Sequence, residues 1–132
     1  MSYLLDTNVC VDVLKGHPQV CARLAAVSPA DCAISSITAF ELATGVLRCA
    51  QPERERRKVE KFFAAITVLP FDPAAADSAA SIRHELEAKG QKIGPYDLLI
   101  AGQALSARLT LVSNNTREFA RIPALRLSDW RN

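Results

Sequence analysis

Short apolar runs alternate with longer segments of helical periodicity along the whole chain. Five runs bounded by Asp, Ser, Pro or Asn predict strands at Tyr3–Leu5, Cys32–Ile34, Ile66–Leu69, Leu109–Val112 and Leu125–Leu127. The intervening segments predict helices at Asn8–Lys15, Pro18–Ala26, Ile37–Ala50, Glu53–Ala65, Pro73–Lys89 and Tyr96–Ala107. Because strands separated by helices cannot pair as hairpins, this alternation predicts a three-layer α/β/α domain with a mainly parallel central sheet.

Composition narrows the class of protein. The 132 residues are 49% hydrophobic and 23% charged, which is typical of a globular chain and excludes disorder, and we expect residues 1–132 to form a single domain. No apolar run reaches the roughly 18 residues of a membrane helix. The first residues lack a basic secretory region, so we expect a cytoplasmic protein. The net charge is only +2, which disfavours nucleic-acid binding through bulk charge.

The cysteines and histidines show no metal-binding pattern. The four cysteines form no C-x-x-C pair, and the two histidines stand apart from them. We therefore interpret the cysteines as small core residues with free thiols, as expected in a reducing compartment.

Acidic residues stand at three predicted junctions between a strand and a helix. Asp6 directly follows the first strand, Glu41 lies early in the helix after the second, and Asp97 begins the most apolar helix. Each has a purely structural alternative: Asp6 as an N-cap, Glu41 in a capping box with Thr38, and Asp97 as a charge favourable to the helix dipole. The segment after Leu109–Val112 adds Asn115 and Glu118.

These junctions are expected to lie together, because parallel strands end at one edge of their sheet. Crowded carboxylates repel one another unless a cation compensates their charge. Oxygen ligands without His or Cys favour Mg²⁺ or Mn²⁺ over zinc. The residues thus predict a metal-dependent phosphoryl-transfer or nuclease site.

Four segments also match a known family in order and spacing, over essentially the whole chain: YLLDTNVCVDVLKG, ISSITAFELATGV, GQKIGPYDLLIAGQAL and LVSNNTREFARIPALRLSDW. The chain resembles PIN-domain ribonucleases, and specifically the VapC-type toxins of bacterial type II toxin–antitoxin modules. The combination of L-D-T-N with T-x-x-E-L-x-x-G and G-P-Y-D-x-x-I-A makes the resemblance specific.

The resemblance implies an α/β/α fold and RNA cleavage that depends on Mg²⁺ or Mn²⁺. Asp6, Glu41 and Asp97 match the three best-defined acidic positions of the family. Asp6 and Asp97 are expected to hold the metal, while Glu41 completes its shell or accepts a proton from the attacking water. Four further positions are implied at the site: Asn115 where many members carry a fourth acid, Glu118 nearby, and Asn8 and Ser113 in support.

The same resemblance implies partners. These are an RNA substrate, with tRNA as the suggested class, a VapB-type antitoxin that blocks the site, and a second copy in a homodimer. Lys89 and Lys92 bracket Gly90 near Asp97 and are the candidate substrate contacts. The basic stretch from Arg48 to Lys61 is interleaved with Glu residues, which favours a solvated helix face with a Glu53–Arg57 pair.

Two alternatives remain open at this point. A degenerate PIN module would bind RNA or a protein without cleavage, and Asn115 in place of an acid supports this reading. A phosphatase or phospho-acceptor domain would use Asp6 as its nucleophile. The second alternative is weakened because such enzymes of the haloacid-dehalogenase type carry another Asp two residues later, where this chain has Asn8.

Overall fold

The computed structural model describes all residues from Met1 to Asn132. Its strands are β1 (Tyr3–Leu5), β2 (Cys32–Ser35), β3 (Thr67–Leu69), β4 (Thr110–Val112) and β5 (Leu127–Ser128). Its helices are α1 (Thr7–Leu14), α2 (Pro18–Val27), α3 (Ser36–Arg48), α4 (Pro52–Ala65), α5 (Pro73–Ala88), α6 (Pro95–Ala107) and α7 (Thr116–Phe119). A short 3-10 turn, Pro29–Asp31, precedes β2.

The five strands form one sheet in the order β3-β2-β1-β4-β5, and every pairing is parallel. Alternate strand residues point to opposite faces, as the pleat requires. Leu4 and Leu111 pack with α5 and α6, whereas Leu5, Ile34 and Val112 pack with the helices α1 to α4. The predicted three-layer α/β/α architecture is confirmed.

The order of the strands creates a crevice beside β1. The chain runs outward from β1 to β2 and β3 and then returns to the other side of β1 for β4 and β5. Such a reversal leaves an opening at the carboxyl ends of the two central strands, β1 and β4, which is where ligands bind in open α/β folds.

Close packing of α5 against α6 fixes the position of the helix that carries Asp97. A Cβ atom at Gly102 would lie 2.6 Å from both the Cβ and the backbone N of Ala79. The two backbones therefore approach at a distance that only glycine permits. The contact belongs to the core that α6 shares with the sheet, around Ile100, Ala101 and Ala104.

The predicted helices and strands lie largely where the structure has them, whereas their predicted ends are less accurate. The fifth strand was expected at Leu125–Leu127 but occupies Leu127–Ser128, because Leu125 belongs to the preceding turn, in which its backbone N–H donates to the carbonyl of Ile122 at 3.1 Å. The short helix α7 was not predicted. All four cysteines are free thiols. Cys10 and Cys32 are buried as predicted, whereas Cys21 and Cys49 are only partly buried, so the prediction that all four lie in the core was wrong for these two. None of the helices is both long enough and apolar enough to cross a membrane.

Candidate active site

Asp6 occupies the carboxyl end of β1 with both a structural and an electrostatic role. Its Oδ1 accepts a hydrogen bond of 2.9 Å from the backbone N–H of Val9, which caps α1. The residue is only 1% exposed. The pKa of Asp6 is raised from 3.8 to about 6, chiefly by burial and to a smaller extent by the negative charge of Asp97, against the opposing effect of hydrogen bonds from Ser113 and from the Val9 N–H. Capping and a place in the crevice therefore coexist in one side chain.

Glu41 is held by a threonine of the neighbouring helix. The hydroxyl of Thr7 donates to Glu41 Oε1 at 2.6 Å and lies 3.1 Å from the hydroxyl of Thr38. The capping box predicted for Thr38 and Glu41 is wrong, because α3 begins earlier and Ser35 Oγ accepts from the backbone N–H of Ile37 as its cap. Glu41 therefore lies beyond the first turn of α3, and its carboxylate reaches α1.

Asp97 lies in the first turn of α6, whose N-cap, Gly94, has no side chain to cap it. Burial raises the pKa of Asp97, and the negative charges of Glu118 and Glu41 raise it further. A hydrogen bond from the side chain of Asn115 opposes this rise. Asp97 is thus electrostatically coupled to acidic residues from two other segments of the chain.

The segment after β4 connects these groups. Ser113 is fully buried, and its Oγ accepts from the backbone N–H of Asn115 at 2.9 Å while its hydroxyl bonds Asp6. The amide Nδ2 of Asn115 donates to Glu118 Oε2 at 2.8 Å. The neutral amide of Asn115 therefore lies between the carboxylates of Asp97 and Glu118.

We call the four carboxylates of Asp6, Glu41, Asp97 and Glu118 the acidic cluster. None of the four forms a salt bridge with a basic side chain. A carboxylate charge that is removed from water without a positive partner is unfavourable. Their chemistry fits a divalent cation. No three acidic, His or Cys side chains converge on a single ion position. The fit is therefore to an ion that keeps several waters, as Mg²⁺ commonly does.

Three predicted site residues lie outside this hydrogen-bonded arrangement. Asn8 is exposed on the first turn of α1, and Lys89 is exposed at the end of α5. Lys92 is also exposed, and its backbone carbonyl accepts a hydrogen bond from Arg121. No hydrogen bond or salt bridge joins any of the three to the acidic cluster.

The basic stretch on α4 is partly neutralised. Glu53 pairs with Arg56 rather than with Arg57, so the predicted pair was wrong by one position. Lys58 lies 3.4 Å from Glu55. Both pairs have an i,i+3 spacing and at least one exposed partner, as expected of a solvated helix face.

Two features near the site were not predicted from the sequence: the hydrogen bond from Thr7 to Glu41, and an ion pair between Arg131 and Asp12, which we call the clasp. Arg131 donates to both carboxylate oxygens of Asp12, at 2.7 and 2.9 Å, and Asn114 lies 3.4 Å from the same group. The Arg131 guanidinium lowers the pKa of Asp12. The clasp ties α1 to the segment that carries Ser113 and Asn115, and partners this far apart leave no local signal in a sequence.

Known proteins match this chain over nearly its whole length. The PIN domain family matches residues 3–125. The chain is 42% identical over 130 residues to the tRNA(fMet)-specific endonuclease VapC of Salmonella typhimurium, with 98% of each covered. It is 39% identical over 131 residues to ribonuclease VapC2 of Haemophilus influenzae, again with 98% of each covered. A chain in the crystal structure of DNA-bound VapBC from Salmonella typhimurium superimposes with a TM-score of 0.94 at 42% identity, covering 98% of both.

The chain therefore belongs to the PIN-domain family and, within it, to the VapC ribonucleases. The predicted family and the predicted enzyme class are confirmed. The phosphatase alternative loses its basis, because the relatives that match the full chain are named as endonuclease or ribonuclease.

Proposed function

We propose that this chain is the toxin of a VapBC-type toxin–antitoxin module, and that it hydrolyses phosphodiester bonds of tRNA with Mg²⁺ or Mn²⁺ as its cofactor. One observation carries the proposal: at the sheet edge where the strand order reverses, Asp97 is electrostatically coupled to Asp6, Glu41 and Glu118. None of these carboxylates has a basic partner. The name of the Salmonella typhimurium relative supports tRNA as the substrate class.

The chain's own residues divide the work at this site. The buried Asp6 and the half-buried Asp97 supply the carboxylates that would hold the cation, since burial and mutual repulsion make their uncompensated charge unfavourable. Thr7 fixes the direction of the Glu41 carboxylate, which would complete the ligand shell or accept a proton from the attacking water. Ser113 would hold the Asp6 carboxylate in place through its hydrogen bond.

When bound, the ion supplies positive charge and Lewis acidity at the phosphodiester. Asn115 would orient water or phosphate through its amide while contributing no charge. In-line attack would leave a 5′-phosphate on one product and a 3′-hydroxyl on the other. Lys89 and Lys92, on the exposed segment before α6, would contact the RNA backbone.

Two protein partners complete the proposal. The matched structure from Salmonella typhimurium is a VapBC complex, which supports a VapB-type antitoxin for this chain. The apolar residues of the first two helices are only partly covered by the core at Val11, Val13, Leu14 and Leu24. This face would pack against the antitoxin or a second copy in a homodimer. The four free thiols agree with a cytoplasmic location.

The test compares the purified chain with its Asp97→Asn variant on total tRNA, in Mg²⁺, Mn²⁺ or EDTA. We expect cleavage by the parent only with a divalent ion and no cleavage by the variant. Asp77→Asn is the matched control, because Asp77 is exposed on α5 and forms no salt bridge. It should cut at the parent's rate.

Isothermal titration with Mn²⁺ gives a second readout that does not depend on the RNA chosen. We expect the parent and Asp77→Asn to bind the ion and Asp97→Asn to bind it more weakly. Cleavage by Asp97→Asn at the parent's rate would contradict the assignment of the site. Absence of both cleavage and Mn²⁺ binding in the parent would favour the degenerate binding module.

A further inference from the structure

An exposed pair of aromatic rings lies beside the acidic cluster. The rings of Phe40 and Tyr96 have centroids 5.6 Å apart and planes inclined by 60°. Phe40 is 53% exposed and Tyr96 is 44% exposed. The two residues come from α3 and α6, and each directly precedes a member of the cluster, Glu41 and Asp97. Large rings in this position contribute little to the core, which indicates a contact surface.

A shallow cavity joins this pair to the cluster. Its volume is about 160 Å³, and its lining consists of Phe40, Glu41, Thr44, Arg48 and Tyr96. Glu41 belongs to both the cavity and the acidic cluster, so the two are contiguous. Arg48 is exposed at the end of α3 and forms no salt bridge, which leaves its guanidinium available to an anion.

We propose that Phe40 and Tyr96 together hold an unpaired base of the RNA next to the scissile phosphate, and that Arg48 contacts a phosphate of the same strand. Because the rings are inclined by 60°, the base would stack on the face of one ring and meet the other ring at its edge. The proposal rests on the proposed RNA-cleaving function. Every base has a flat π face, and proteins bind single-stranded RNA by stacking such bases on aromatic rings. A base inside a duplex is already stacked on its neighbours. The pair would therefore select nucleotides from a loop or an end.

The charge and the size of the cavity favour RNA over a protein partner. The free cation of Arg48 complements a phosphate, and the adjoining acidic cluster is where the phosphodiester must sit. The cavity is smaller than the roughly 300 Å³ of an ordinary ligand pocket, so it fits one planar group. No stacking surface was predicted from the sequence, because aromatic residues make up only 6% of the chain and these two are far apart in it.

The test follows the fluorescence of 2-aminopurine placed in the single-stranded loop of an RNA hairpin. It uses the full chain in the Asp97→Asn background, so that the strand stays intact. We expect binding to quench the fluorescence. Phe40→Leu or Tyr96→Leu should abolish the quenching and weaken RNA binding by about 5- to 140-fold, the range expected for loss of one stacked base.

Two matched variants separate stacking from general apolar contact. Tyr96→Phe keeps the ring, so it should retain the quenching that Tyr96→Leu abolishes. Leu47→Ala removes an apolar side chain that is 72% exposed on the same helix as Phe40 but does not line the cavity, and it should bind like its parent. In the cleavage-competent chain, Phe40→Leu should raise KM for tRNA and leave kcat nearly unchanged.

The outcomes are distinct. RNA binding and quenching by the Leu variants at the parent's level would overturn the stacking proposal, and the pair would then be a contact for a protein. An equal loss in Leu47→Ala would overturn it as well, since the effect would not be specific to the rings. Failure of the proposed function would show separately, as absence of tRNA cleavage by the parent chain.

Discussion

Replacing Asp6 by Asn should stabilise the metal-free protein at neutral pH while it abolishes cleavage. The folded chain raises the pKa of Asp6 from 3.8 to about 6, chiefly by burial. At about 1.4 kcal/mol for each tenfold change in proton affinity, keeping this group ionised costs the fold about 3 kcal/mol. The amide of Asn carries no charge, and its oxygen retains the cap on the Val9 N–H.

The sign of the pH dependence follows from the raised pKa. Between pH 3.8 and about 6 the folded chain binds the proton of Asp6 more tightly than the unfolded chain does. This contribution to stability is therefore complete below pH 3.8 and is lost as the pH rises through about 6. The advantage of Asp6→Asn over the parent should be small at pH 4 and should approach about 3 kcal/mol at pH 8.

Urea unfolding in EDTA at several pH values between 4 and 8 measures this difference directly. EDTA is needed because a bound cation would favour the ionised carboxylate. Asp77→Asn, on the exposed side of α5, should differ from the parent by the same small amount at every pH. An Asp6→Asn variant whose stability relative to the parent does not change with pH, or which is less stable than the parent at pH 8, would contradict the raised pKa of Asp6.

Two further predictions concern contacts that hold the site's helices in place. Gly102→Ala should destabilise the fold by about 1–3 kcal/mol in thermal or urea unfolding, because the new Cβ would meet backbone atoms of Ala79 at 2.6 Å. The control Gly45→Ala, with open space around its Cβ, should be neutral or stabilising by up to about 1 kcal/mol. Equal effects of the two substitutions would contradict the close contact between Gly102 and Ala79. Arg131→Gln should reduce stability at pH 7, where the ion pair holds the pKa of Asp12 below 3.8, and this loss should fade as the carboxyl protonates in acid. A loss that is the same at pH 3 and pH 7 would argue against the ion pair.

Local chemistry was enough to predict the layers of the fold. The alternation of short apolar runs with helical periodicity depends on neighbours within one element, and it gave the parallel sheet and its two helical layers. The same local pattern placed Asp6 and Asp97 at element ends, because Asp is favoured at the start of a helix. The motif spacing then indicated the ribonuclease family, which the comparisons confirm.

Residue spacing alone could not decide which polar groups touch. The hydrogen bond from Thr7 to Glu41 and the coupling of Asp97 to Glu118 join segments that meet only after the sheet has formed. For this reason the predicted capping box of Glu41 was wrong, whereas the expectation that Asp6 serves as a cap was right.

The elements, the layers and the acidic candidates could thus be predicted before the fold was known, because they depend on periodicity and on residue chemistry. The electrostatics of these acidic residues depend instead on the folded chain. Burial raises the pKa of Asp6, and burial and neighbouring charge do the same for Asp97, once the strand order brings distant junctions to one edge. The meeting of Phe40 with Tyr96 arises in the same way, since it requires α3 and α6 to pack side by side.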